Sequence, residues 1–257
     1  MKNMVGIIQA RVNSTRLPNK VLLDLKGKTV MERVIERVQR SRLVEDVIVA
    51  TTMEEQDLEL ALLCEKRGVK VYRGSEEDVL DRYYQAARVF LIKDIVRITA
   101  DCPLIDPMII DEAIGLYTSM KADYVSNALR ETFPDGEDVE VFSFETLENA
   151  WKNAKLYSER EHVTSYIRKH PEFFKIENLI CKQNLSQKRW TLDEKKDYEF
   201  IKLIYENLYN EGDGNFGMRE ILEFLKRYPE CEKINSGIKR NEGYMKSLQK
   251  DKIFDGN

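Results

Sequence analysis

Between positions 11 and 20 the chain carries Arg11, Asn13, Ser14, Thr15, Arg16, Asn19 and Lys20, with no acid among them. Three cations beside small hydroxyl and amide groups suit a polyphosphate. Arginine grips phosphate oxygens through paired N–H bonds, and lysine acts as a point charge. The spacing is not that of a Walker A loop, because the G-x-x-x-x-G-K-[ST] pattern is missing. A solvated basic loop would have the same composition, so residue types alone leave both readings open.

Carboxylates come next. Asp101 follows an apolar run, where a charged group has no packing reason to be. Mg²⁺ on nucleotide phosphates takes one or two protein carboxylates and keeps several waters. The competing reading of Asp101, a cap or turn residue, is weakened because Asp106 fills that role nearby. Asp193 closes a second short apolar run just before an amphipathic helix, and Asp197 is the alternative in the same turn. Asp197 also fits a first-turn acid that complements the helix dipole. The carboxyl ends of neighbouring strands in an α/β sheet share one crevice, so Asp101 and Asp193 are expected to form one Mg²⁺ site. Further along, Asp138 and Glu140 project to one side on a period of two, and Glu159 and His162 share a helix face. An alternating solvent face and a salt-bridged helix surface explain these spacings equally well.

The elements that must position these groups are legible from periodicity. Residues 4–10 form a short apolar run with β-branched members, as in a strand covered on both faces. Thr29 and Glu32 stand at capping-box spacing and open a helix with Met31, Val34, Ile35 and Val38 on one face. A strand at 47–50, a helix from about Asp57 to Gly68 and a strand at 70–72 follow. Ser75 and Asp78 cap a helix whose stripe includes Val79, Leu80, Tyr83, Tyr84 and Ala87. A strand at 95–99 precedes a helix with Asp106 as N-cap and Pro107 in its first turn. Strand and helix thus alternate four times, predicting an α/β fold with a mainly parallel sheet and helices on both faces. The regularity then breaks. Strands are expected at 124–127 and 139–143 around a turn at Pro134, Asp135 and Gly136, with helices at 144–154 and 158–169 and a short strand at 190–192. One domain is expected over 1–257: a nucleotide-binding half at 1–125, a smaller lobe at 126–184, and a metal-site strand with C-terminal helices at 185–257.

Composition bounds the partners. The 257 residues carry 41 Lys and Arg against 45 Asp and Glu, a net charge of -4, which argues against a general nucleic-acid or anionic-membrane binder. No apolar stretch approaches the length of a membrane span, and the charged loop comes too early for a secretory signal, so a cytoplasmic protein is expected. The four cysteines are widely spaced without a C-x-x-C pair, and two histidines leave little material for a histidine-based metal site or a Ser-His triad.

Residues 7–21, reading IIQARVNSTRLPNKV, resemble the I-x-A-R-x-x-S-x-R-x-P-x-K signature of the cytidylyltransferases that make CMP-sugars, the acylneuraminate and CMP-KDO synthetase superfamily. The blocks RGSEEDVLDRYYQAA, RITADCPLID and FPDGEDVEVFSFE are most similar to the branch named for the spore coat polysaccharide biosynthesis F protein. Where relatives usually carry glycine this chain has Asn13 and Asn19, and asparagine is the next-best residue for a left-handed backbone. The resemblance implies a Rossmann-like nucleotidyltransferase fold and transfer of CMP from CTP to a sugar-like acceptor, with Mg²⁺ as cofactor and pyrophosphate released. It implies a nucleotide site of Gln9, Ala10, Arg11, Ser14, Lys20, Arg73, Gly74, Thr99 and Asp101. Arg11, Arg16, Lys20 and Asp101 would be the catalytic set, and the metal would lie on Asp101 and Asp193. Arg73 would donate to the cytosine edge, although a pair with an acid such as Asp78 explains a strand-end arginine as well. Asp138, Glu140, Glu159, His162 and Arg189 would border the acceptor. That acid-rich set predicts an acceptor with hydroxyl or ammonium groups, with Arg160 or Arg189 as the cations that could instead clamp a carboxylate. Relatives further imply a homodimer through the 126–184 segment. A nucleotide-sugar-dependent glycosyltransferase and a catalytically silent nucleotide-binding subunit are the alternatives.

Overall fold

The computed structural model describes residues 4–210, 216–238, 240, 247–249 and 251–254. Strand β1 (Met4–Gln9) leads into the basic loop, which ends in a 3-10 turn at Lys20–Leu22. A small hairpin, β2 (Asp24–Leu25) and β3 (Lys28–Thr29), precedes helix α1 (Val30–Gln39). Then come β4 (Asp46–Thr52), α2 (Leu58–Lys66), β5 (Lys70–Gly74), α3 (Val79–Val89), β6 (Asp94–Thr99) and α4 (Pro107–Met120). The second half holds β7 (Tyr124–Ser126), β8 (Glu140–Ser143), α5 (Phe144–Asn153), α6 (Tyr157–Glu161), α7 (Ser165–Lys169), β9 (Ile176–Asn178), α8 (Lys195–Leu208) and α9 (Met218–Arg227).

Seven strands form one sheet in the order β5-β4-β1-β6-β8-β7-β9, and β8 alone runs against its neighbours. The chain leaves β1 toward β4 and β5, then returns to β6 on the other side of β1. That reversal is the switch point at which open α/β sheets bind ligands. Gln9 and Thr99 are register partners at the carboxyl ends of β1 and β6, so the basic loop and Asp101 emerge side by side. Alternation along β1 feeds two cores. Met4 and Ile8 pack with α1, α4 and α8 residues such as Val34, Ile110 and Phe200, while Val5 and Ile7 pack with Tyr83, Phe142 and Leu147 from the other face. Gly6 lets α1 approach, since a β-carbon there would stand 2.9 Å from Val38 Cγ1.

Local signals hold where the cap chemistry was explicit. Thr29 and Glu32 make a full capping box, and Asp106 caps α4 with Pro107 in the first turn. The four βα alternations and the mainly parallel sheet match the expected fold class. Three expectations need correction. The helix after β5 starts at Val79 with Asp78 as its N-cap, and the Ser75 hydroxyl only accepts the Asp78 N–H. The helix expected over 158–169 is two short helices, because Val163 takes a left-handed φ of 46° and turns fully buried into the second core. Residues 190–192 lie in no strand. Trp190 N donates to Asp135 O at 2.6 Å and Leu192 N to Asp101 O at 2.8 Å, so this segment stitches two loops together. Among the described residues no helix is long and apolar enough to cross a membrane.

Arg37 is an unexpected fastener. Buried inside α1, it donates to Ile105 O at 2.6 Å, Leu104 O at 3.1 Å and Phe216 O at 2.9 Å, joining α1, the loop after Asp101 and the segment before α9. Arg37→Met removes the donors and strands three buried carbonyls, which should cost about 3 kcal/mol in denaturant unfolding. An unchanged denaturation midpoint would contradict this role.

Candidate active site

A cavity of ≈ 670 Å³ opens at the carboxyl ends of β1 and β6. Its walls include Gln9, Ala10, Arg11, Ser14, Arg16, Lys20, Thr99, Asp101 and Asp193 from the expected set. The loop is shaped by three devices. Asn19 takes the left-handed conformation (φ 59°) foreseen for an asparagine in glycine's place, and its N–H returns to Val12 O at 3.2 Å. Val12 N donates to Asp57 Oδ1 at 2.6 Å, and Thr52 donates to the other Asp57 oxygen, so a fully buried carboxylate anchors the loop from below. Among the described residues, no partner accepts from the backbone N–H groups of Asn13, Ser14, Thr15 or Arg16. All four residues line the cavity beside Arg11 and Lys20, and unpaired amides near cations are groups that can bind an anion.

The deepest feature is a charge cluster. Lys20 Nζ lies 2.8 Å from Asp193 Oδ1, 3.4 Å from Asp101 Oδ2 and 2.8 Å from Leu192 O. Arg16 reaches Asp193 Oδ2 at 2.8 Å. Burial alone would lower the Lys20 pKa, but Asp101 and Asp193 outweigh it and hold the ammonium charged. Burial opposes ionisation of Asp101 as well, and the field of Lys20 overcomes it, so its pKa falls below the usual value. The carboxylates meet because Leu192 N and the Thr191 hydroxyl both donate to the Asp101 carbonyl. The hard oxygen donors fit a Mg²⁺-like ion that takes one or two carboxylates and completes its shell with water and phosphate. Among the described residues no group of three or more His, Cys, Asp or Glu side chains could form an all-protein cage.

Several expected contacts are not in the cavity wall. Arg73 donates to Thr52 O and Glu54 O, each at 2.9 Å, which holds its guanidinium against the loop after β4. It does not pair with Asp78 either, because Arg160 takes that carboxylate. Gly74 lies outside the wall but gives Arg82 room, since a β-carbon there would stand 3.1 Å from Arg82 Cγ. Asp197 is fully buried and accepts from Arg189, Asn235 and the N–H groups of Asp193 and Glu194. It is a capping carboxylate and leaves Asp193 as the metal candidate. Arg189 spans Asp197 and Asp135, so it is committed to structure.

None of the acids expected at the acceptor, Asp138, Glu140 and Glu159, lines this cavity. Glu140 is buried under Arg97, Tyr124 and Thr164; Asp138 pairs with Arg240 at 2.7 Å; Glu159 accepts the Lys155 and Leu156 N–H groups. Of that set only His162 lines the cavity, beside Tyr157 and Glu161. Burial, with a further push from Arg97 and Arg168 against the pull of Glu161, takes its pKa down to about 4 and keeps it neutral.

Two arginines do line the cavity and were not foreseen. Arg82 is 1% exposed and donates to Ser75 O at 2.7 Å, yet its Nε has no partner among the described residues. Arg97 binds Glu140 and reaches Gln9 Oε1 at 3.2 Å, and its buried Nε likewise has no partner among the described residues. Both sit within runs that read as helix stripe or strand, and the only signal was a charge inside an apolar pattern. Glu76, which ion-pairs with Arg11 at 3.2 Å, and Glu77 complete the rim.

Comparison with known proteins bears on this site. Residues 5–235 match the family model described as cytidylyltransferase. The spore coat polysaccharide biosynthesis protein SpsF of Bacillus subtilis is 34% identical over 240 residues, covering 90% of this chain and 97% of that protein. A solved cytidylyltransferase from Leptospira borgpetersenii superposes with TM-score 0.86 at 33% identity, over 93% of this chain and 100% of its own. The structure of CMP:2-keto-3-deoxy-manno-octonic acid synthetase complexed with CTP shares the fold, with TM-score 0.62 at 16% identity over 80% of this chain and 99% of that one. The chain is an enzyme of the cytidylyltransferase family, a nucleotidyltransferase.

Proposed function

We propose that the protein transfers CMP from CTP to a hydroxyl or phosphate of a sugar-like acceptor, releasing pyrophosphate, with Mg²⁺ held by Asp101 and Asp193. The observation that carries this reading is the convergence of Lys20, Asp101 and Asp193 at the base of a cation-rich, amide-lined loop. Phosphoryl-type transfer asks little covalent chemistry of a protein, so positioning and charge neutralisation dominate. The Arg11–Lys20 cations and the amides of Asn13 to Arg16 hold the departing pyrophosphate and offset its growing charge. A bound Mg²⁺ supplies Lewis-acid polarisation of the phosphate oxygens.

Arg82 takes the base-reading role in place of Arg73. It is a buried cation on the cavity wall whose Nε has no hydrogen-bond partner among the described residues, and cytosine presents O2 and N3 as acceptors where uracil carries a hydrogen on N3. Arg97 and neutral His162 border the acceptor end, which replaces the expected acidic lining and withdraws the preference for an ammonium-bearing acceptor. A role in surface polysaccharide synthesis is supported by the likeness to the spore coat polysaccharide biosynthesis protein of Bacillus subtilis. A cytoplasmic homodimer completes the reading. A glycosyltransferase would expel a whole nucleoside diphosphate from a nucleotide sugar and release no pyrophosphate from CTP, so the family match favours CMP transfer and the assay below separates the two.

Pyrophosphate release from CTP, followed against a panel of sugar acceptors, tests the reading. Lys20→Ala and Arg11→Ala should each lower turnover by about 100-fold; Arg11→Ala should leave the unfolding midpoint near that of the parent, whereas Lys20→Ala should lower it while keeping the fold, because Asp101 and Asp193 lose their counter-charge. Near-normal turnover of either variant at saturating CTP would remove that residue from the phosphate site. Calorimetry should show CTP bound more tightly than UTP. Arg82→Met should shrink that preference by about tenfold while Arg73→Met leaves it unchanged. The opposite pattern would return base reading to Arg73.

A further inference from the structure

A lysine ammonium has three N–H donors, and Lys20 has three acceptors: Leu192 O, Asp193 Oδ1 and Asp101 Oδ2. Every donor is committed, in a side chain that is 13% exposed. A phosphate oxygen can therefore be gripped by Lys20 only when one of these partners is given up. The second oxygen of Asp193 is held by Arg16 at 2.8 Å with Arg189 at 3.7 Å, so the carboxylate pair is neutralised from both sides within the protein itself. An ammonium between the carboxylates and a divalent ion on the same oxygens would stand a few ångströms apart and repel strongly at a partly buried site.

We propose that Lys20 is a resident counter-ion that closes the Asp101–Asp193 seat to free divalent cations, and that a polyphosphate opens the seat by drawing Lys20 onto its own oxygens. Cation and nucleotide then enter as one event. This rests on the proposed assignment of the metal to these two carboxylates and adds the means by which the free enzyme excludes it. Three consequences follow from one exchange. Divalent cation alone binds weakly, because it must displace an ion pair without offering the lysine a new partner. Nucleotide raises cation affinity, since its phosphates accept the displaced ammonium and add ligands. By linkage the cation raises nucleotide affinity by the same factor.

Removing the lysine separates this exchange from a plain structural salt bridge. Mn²⁺ binding is measured by the loss of its free electron-paramagnetic signal, for the parent protein, Lys20→Met and Lys20→Gln, with and without CTP, each variant first checked by thermal unfolding. The parent should bind Mn²⁺ alone at least about tenfold more weakly than with CTP present. Either lysine variant should bind Mn²⁺ alone at least about tenfold more tightly than the parent, and Asp101→Asn added to it should abolish the gain. Failure of both lysine variants to gain Mn²⁺ affinity overturns the exchange. Should Asp101→Asn in the parent background leave Mn²⁺ binding in the presence of CTP unchanged, the metal assignment itself fails, an outcome readable independently of the lysine variants.

Discussion

The ion cluster of Lys20 with Asp101 and Asp193 sets the terms for everything around it. Two carboxylates on distant segments would repel if brought together bare, and one would take up a proton. An ammonium with three committed donors makes the approach favourable, and it does so with a charge that can leave. The site therefore needs rigid supports on both carboxylates and a loop able to release its lysine. The fold supplies each. β1 and β6 end in register, the Asp101 carbonyl receives Leu192 N and Thr191 Oγ1, and Asp197 pins the chain after Asp193. Arg37 holds the loop beyond Asp101 from the opposite side.

The same economy shows in the basic loop. Asp57 lies at the start of α2, where a cap would be expected, but its carboxylate instead binds Val12 N from beneath. Asn19 provides the one left-handed residue that turns the loop back into its 3-10 end. With the backbone fixed at these two points, the N–H groups of Asn13, Ser14, Thr15 and Arg16 have no partner among the described residues, and the Ser14 hydroxyl accepts a long contact from Leu17 N at 3.5 Å.

What sequence revealed and what it hid divide along physical lines. Periodicity and capping chemistry are local, so α1, α4 and the alternation through β6 were legible from Thr29, Glu32, Asp106, Pro107 and the apolar runs. The cation loop and both carboxylates were visible as charges where packing has no use for them. Partner choice is not local. Nothing within a few residues of Arg73 says that its donors go to Thr52 and Glu54 carbonyls, or that Arg160 would claim Asp78. The acids of the 135–140 stretch read as pocket lining because their partners Arg97, Arg189 and Arg240 lie far away in the chain. Arg82 and Arg97 escaped for the converse reason: each sits in an element whose pattern predicts burial, and only the fold shows the element's end opening on a cavity. The break at Val163 was hidden because a β-branched residue gives no warning of a positive φ.

The most direct measurement is a crystal structure of the protein with CTP and Mg²⁺. The account predicts one Mg²⁺ touching Asp101 and Asp193, directly or through a single water, with phosphate oxygens completing its shell and Lys20 moved from the carboxylates onto the phosphates. A metal in contact with neither carboxylate would contradict the chemistry assigned to this site.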